Sequence, residues 1–70
     1  MILADKIIML RKKAGMSQEQ LAERLGVSRQ SVSKWEGSQS MPDMDKAVKL
    51  ADLFGLSLDS LIRDDLDVED

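Results

Sequence analysis

Glycine and serine fall at such regular places in this chain that a set of short helices is the arrangement that satisfies them. Gly15, Gly26, Gly37 and Gly55 each follow an apolar-patterned segment. A helix ends best on a left-handed residue there, and glycine adopts that conformation without steric cost. Ser17, Ser28 and Ser57 stand where helices should begin, as N-cap hydroxyls. Ser17-Gln18-Glu19-Gln20 has the S-x-x-Q pattern of a capping box, and Pro42-Asp43 announces a further helix start. This punctuation predicts five helices. The first runs from about Leu3 to Ala14 and the second follows Ser17. The third runs from Ser28 to about Glu36, the fourth ends near Phe54, and a short fifth follows Ser57. No segment alternates apolar and polar residues with β-branched or aromatic enrichment, so the expected class is all-α.

Apolar residues recur at helical spacing within these segments. The expected inward faces are Leu3, Ile7, Leu10 and Ala14, then Leu21, Ala22 and Leu25, then Val32 and Trp35. The fourth helix should turn Met44, Ala47, Val48, Ala51 and Phe54 inward, and Leu58, Leu61 and Ile62 should close the core. Ile8 and Met9 fall to either side of the first face and are expected at the core edge. Trp35, three residues after Val32, is assigned to packing rather than to base stacking. With 70 residues and no cysteine, this packing must supply the stability, and 43% hydrophobic content suffices for a small helical core. One domain is expected over residues 1–63. The acidic tail 64–70 sits at the unfavourable end of a helix for negative charge and is expected to fray.

The stretch Gln18–Gly37 has the form of a helix-turn-helix. Ala22 is small enough to let a second helix approach, Gly26 supplies the turn, and Val32 and Trp35 face back toward Leu21 and Leu25. Charge is divided along the chain although it nets only −3. Residues 1–40 hold seven Lys/Arg against four acids, whereas residues 41–70 hold three against nine. The helix-turn-helix therefore lies in a half of net charge +3, and the other half carries −6. There is no histidine, no cysteine, no phosphate-cradling glycine loop and no ligand constellation. An enzyme, a metal site, a cofactor and a small-molecule ligand are accordingly not expected. No run approaches the ~20 apolar residues of a membrane span, and residues 1–6 lack the pattern of a signal peptide. A cytoplasmic location is the expectation.

From Ile7 to Ile62 the chain resembles the helix-turn-helix domain of phage repressors and Cro proteins and their bacterial relatives, the XRE or lambda-repressor-like family. The strings that carry the likeness are Ile7-Ile8-Met9-Leu10-Arg11, Met16-Ser17-Gln18-Glu19-Gln20-Leu21-Ala22 and Leu25 through Glu36. Pro42, Leu50-Ala51 and Phe54 through Asp59 extend it. The resemblance implies a five-helix DNA-binding domain and a transcriptional regulator, in most cases a repressor. It implies a homodimer at least on DNA, docking on a roughly palindromic operator with half-sites about one turn apart. Helices 4 and 5, with Leu58 and Ile62, are the expected dimer surface. One departure stands out. The family places its glycine one position later than Gly37, where this chain has Ser38. The connector from Gly37 to Asp43 also lacks Lys and Arg. A protein-interaction module retaining this fold is the alternative, because fold does not dictate function.

Base contacts are expected from Arg29, Gln30 and Lys34, the positions that reach base edges in the family. Their chemistry agrees, since Arg and Lys suit guanine O6/N7 and Gln suits adenine N6/N7. Ser33 is a further candidate. Gln18, at the start of helix 2, matches a phosphate-contacting position, and a helix N-terminus favours an anion. Ser38, Gln39 and Ser40, with backbone N–H groups of the connector, are further phosphate candidates. Ser31 is a phosphate or packing residue. Arg11 and Glu36 match a salt-bridged pair that links helix 1 to the end of helix 3 and leaves Arg11 able to approach phosphate.

Overall fold

The computed structural model describes residues 1–67. Five helices make up its regular structure: α1 Leu3–Lys13, α2 Gln18–Leu25, α3 Arg29–Glu36, α4 Met44–Phe54 and α5 Leu58–Ile62. No strand occurs among the described residues. The starts follow the expected chemistry. Ser17 Oγ accepts from the Gln20 N–H while the Gln20 side chain accepts from the Ser17 N–H, a complete capping box. Ser28, Asp43 and Ser57 cap α3, α4 and α5 through the first of these bonds, each side chain accepting the N–H three residues on.

The stops follow it with one displacement. Gly26 closes α2 at φ 72°, and Val27 N–H reaches back to Ala22 O at 3.0 Å. The same closure ends α3, but Gly37 is not its left-handed residue. Gly37 has φ −91°, and Ser38 takes the left-handed conformation at φ 59°. Ser38 N–H donates to Trp35 O at 3.2 Å and Gln39 N–H to Lys34 O at 2.9 Å. This completes a Schellman motif whose left-handed position is serine.

Leu3, Ile7 and Leu10 of α1 pack with Leu21, Ala22 and Leu25 of α2, Val32 and Trp35 of α3, Leu50 and Ala51 of α4, and Leu61 of α5. Met9 packs against this core and Ile8 is half-buried, as expected for residues at its edge. Four inward assignments need correction. Ala14 ends α1 and is exposed. On α4 the buried face is Ala47, Leu50 and Ala51, with Phe54 beside it, whereas Met44 and Val48 are 65% and 41% exposed. The stripe is therefore rotated by part of a turn: Leu50 joins Ala47 and Ala51 in the core, and Met44 and Val48 turn outward. Ile62 lies on the outer side of α5.

Lys6 is fully buried, and nothing in the pattern marked it. Its ammonium donates to Ser60 O at 2.7 Å and to Arg63 O, the carbonyls at the end of α5. A cation suits that end of a helix. The Met1 ammonium holds the chain just beyond α5, donating to Asp64 O at 2.6 Å and pairing with Asp67 Oδ1 at 3.0 Å. The expected acidic tail 64–70 is described only to Asp67, and residues 68–70 lie outside the described residues. No helix among the described residues is long and apolar enough to cross a membrane.

Candidate nucleic-acid interface

The outer face of α3 follows from its inner one. At about 100° per residue, Val32 and Trp35 turn one side of the helix into the core. Arg29, Gln30, Ser33 and Lys34 then share the opposite side, and all four are exposed. Among the described residues none of them makes a side-chain ion pair. The Ser28 cap holds the start of this helix, accepting the Ser31 N–H at 3.2 Å. Ser31 Oγ lies 3.1 Å from Ser28 Oγ, so the half-buried Ser31 hydroxyl serves the cap.

The other end of α3 is held by a polar network. Arg11 Nε donates to Glu36 Oε2 at 2.6 Å and Nη2 to Oε1 at 3.1 Å, a bidentate pair. Arg11 Nη1 donates to Met16 O at 2.9 Å, and Gln18 Nε2 donates to Glu36 Oε1 at 3.0 Å. One carboxylate thus joins α1, α2 and α3. Burial pushes the Glu36 carboxyl upward, but the hydrogen bonds from Arg11 and Gln18 and the charges of Arg11 and Lys12 outweigh it. The net shift is below the usual carboxylate range. The expected Arg11–Glu36 pair is present, and Gln18 is an unexpected third member. A contact across 18 residues leaves no trace in local spacing.

This network sets what each side chain can still offer. All three Arg11 nitrogens already donate, which leaves one N–H each on Nη1 and Nη2. Gln18 keeps one amide N–H and the backbone N–H groups that open α2. In the connector, the first four backbone donors are already in use. The N–H groups of Gly37, Ser38, Gln39 and Ser40 all donate to carbonyls of α3, because the Schellman closure uses them. Between Gly37 and Ser40, what the connector can offer an anion is side chains: the Ser38 and Ser40 hydroxyls and the Gln39 amide, all exposed. No group of acidic residues that could hold a metal ion occurs among the described residues.

A family model described as helix-turn-helix matches residues 7–61. The chain belongs to this family. Two relatives carry the likeness at sequence level. The HTH-type transcriptional activator BcrR of Enterococcus faecalis is 38% identical over 58 residues, which are 83% of this chain and 28% of that protein. The cryptic phage CTXphi transcriptional repressor RstR of Vibrio cholerae is 33% identical over 61 residues, 87% of this chain and 54% of that protein. The chain thus spans about half the length, or less, of these relatives. Among solved structures, the P22 c2 repressor in complex with a synthetic operator superposes with a TM-score of 0.85 at 29% identity. That match covers 93% of this chain and 98% of the repressor chain. The helix-turn-helix family and the five-helix, lambda-repressor-like architecture expected from the sequence both hold.

Proposed function

We propose that this chain is a sequence-specific double-stranded DNA-binding transcriptional regulator acting as a repressor, with no catalytic role, in the cytoplasm. The observation that carries this reading is the outer face of α3: four exposed polar side chains without ion pairs, on a helix fixed at both ends. In the major groove Arg29 and Lys34 address guanine O6/N7, and Gln30 addresses adenine N6/N7. Ser33 adds a hydrogen bond to a base or phosphate. Gln18, the two remaining N–H groups of Arg11, and the Ser31, Ser38 and Gln39 side chains meet the sugar–phosphate backbone and fix the register. Residues 1–63 form the DNA-binding domain. It docks as a homodimer on a roughly palindromic operator with half-sites about one turn apart. The relatives named RstR and P22 c2 are repressors, and the P22 c2 structure holds an operator.

Selection from random duplexes at low salt tests the reading. A palindromic or near-palindromic motif should emerge, and Arg29→Ala and Gln30→Ala should each relax preference at their own base position by ~1–3 kcal/mol. Binding without an enriched motif refutes it, as does specificity that survives both substitutions. Placing the selected motif over a reporter promoter then distinguishes repression from activation.

A further inference from the structure

The five methionines of the chain fall into two sets. Met1, Met9 and Met16 are partly buried and pack against the core. Met41 and Met44 are 68% and 65% exposed. A thioether has no proton to lose before it reacts, so access decides which methionine an oxidant reaches. The two exposed side chains differ in their surroundings. Met44 opens α4. Met41 lines a cleft of about 280 Å³ whose wall also holds Leu3, Trp35, Ser38, Ser40 and Asp64. Ser38 and Ser40 are the connector hydroxyls, and neither makes a side-chain hydrogen bond within the described residues. An oxidisable sulfur thus stands in one cleft with two unused hydroxyls and the last turn of α3.

We propose that Met41 is an oxidation site through which hydrogen peroxide lowers the affinity of the chain for DNA. The inference rests on the DNA-binding reading, in which Ser38 meets phosphate. In the step, a lone pair of the Met41 sulfur attacks one peroxide oxygen. The O–O bond breaks and an S–O bond forms. The departing hydroxide takes the proton of the transferred oxygen and leaves as water. Sulfur is oxidised by two electrons and the peroxide is reduced by two. The apolar thioether becomes a polar sulfoxide, whose oxygen accepts hydrogen bonds. Among the side chains that share the cleft, the Ser38 and Ser40 hydroxyls are its natural donors, since the Asp64 carboxylate has no proton to give. A hydroxyl has one proton. Once Ser38 gives it to the sulfoxide, a phosphate oxygen no longer receives it.

Timed treatment of the full chain with hydrogen peroxide, followed by peptide mass mapping, tests the site. Met41 and Met44 should oxidise at least about fivefold faster than Met9 and Met16. Trp35 is the single tryptophan, so its emission reports on the cleft without DNA. Oxidation should move that emission to longer wavelength in wild type and in Met44→Leu, but not in Met41→Leu. Leucine keeps the volume and apolar character of methionine without its sulfur. Oxidised wild type should bind the selected operator about tenfold more weakly, as the loss of one hydrogen bond to a charged group implies. Met41→Leu should bind as untreated wild type does, before and after peroxide. Methionine sulfoxide reductases should restore the oxidised wild type. Met41 that reacts no faster than Met9 and Met16, affinity that survives its oxidation, or an equal loss in Met41→Leu each overturns the proposal. An untreated chain that selects no operator refutes the DNA reading instead. The order of oxidation and the Trp35 emission then score the site by themselves.

Discussion

Exchanging the two residues that end α3 should stabilise the chain, and the reason lies in where its left-handed turn falls. Ser38 holds φ 59°, while Gly37 holds φ −91°, a conformation open to any residue. A residue with a Cβ in the left-handed region costs ~1–2 kcal/mol. Ser38→Gly removes that cost but adds backbone freedom to the unfolded chain, worth roughly 0.5–1 kcal/mol. The net expectation is stabilisation of ~0.5–1 kcal/mol. Gly37→Ala adds about 0.4–1 kcal/mol through the unfolded state, because its Cβ would meet Ser33 O at 3.4 Å, an ordinary contact. The double variant should gain ~1–2 kcal/mol, which raises the melting temperature of a domain this size by about 4–8 °C per kcal/mol. The two sites are adjacent, so a double-mutant cycle is needed to test additivity. Gly26→Ala is the opposite control, since φ 72° makes the substitution costly by ~1 kcal/mol or more. Thermal and urea unfolding followed by circular dichroism measures all four. Ser38→Gly that leaves stability unchanged, or lowers it, refutes the assignment of strain to this residue. The same variant deletes a hydroxyl proposed to meet phosphate. Affinity for the selected operator should therefore fall while stability rises, a pairing of signs that a folding defect cannot produce.

Three further outcomes follow from the buried polar groups and the α3 face. Lys6→Ala strips the α5 carbonyls of Ser60 and Arg63 of their donor and opens a space in α1. It should cost about 2–4 kcal/mol in urea unfolding. Stability should fall in acid because of Glu36. Its folded value lies below the ordinary 4.5, so its contribution is complete above that pH and is lost as pH drops through the lower folded value. Glu36→Gln should flatten this dependence below about pH 4.5 and destabilise the neutral-pH chain by ~2–3 kcal/mol through the unpaired Arg11. Operator titrations at several salt concentrations should separate contact types. Substituting a phosphate-contacting residue weakens all sequences alike, whereas Gln30→Ala leaves the salt slope unchanged and alters base preference.

Most of the architecture was legible because it rests on local chemistry. A hydroxyl that caps a helix, or a glycine that ends one, acts within four residues and so leaves a local pattern. Ser17, Ser28 and Gly26 each do what their neighbours in sequence demand. Misassignments arose where a choice depended on something outside the local window. Met44, Ala47, Val48 and Ala51 fit a helical period as well as Ala47, Leu50 and Ala51 do. Only the shape of the space left by α1, α2 and α5 decides that Leu50 fills it. Gly37 attracted the helix end because glycine is the usual residue there. The Schellman hydrogen bonds to Trp35 O and Lys34 O count from the helix, however, and they place the left-handed turn one residue later.

Long polar side chains were the least legible, and they alter the electrostatics of the interface most. The positive first half of the chain counts seven cations, yet two of them are turned inward. Lys6 neutralises the end of α5, and Arg11 is bound to Glu36 and Met16. The backbone N–H groups of Gly37, Ser38, Gln39 and Ser40 are likewise used by α3. The field available to a phosphate backbone is therefore weaker than the sequence suggests, and much of the polar chemistry serves to hold α3 rigid rather than to attract DNA. The binding proposed above then draws less on salt-dependent, sequence-blind contacts and more on the base edges that Arg29, Gln30 and Lys34 are proposed to read. It also makes the pairing of two chains matter more. With few phosphate contacts per copy, joining two half-site readers raises effective concentration without adding charge. In the proposed homodimer, the affinity that the acidic second half forgoes is recovered through the second chain.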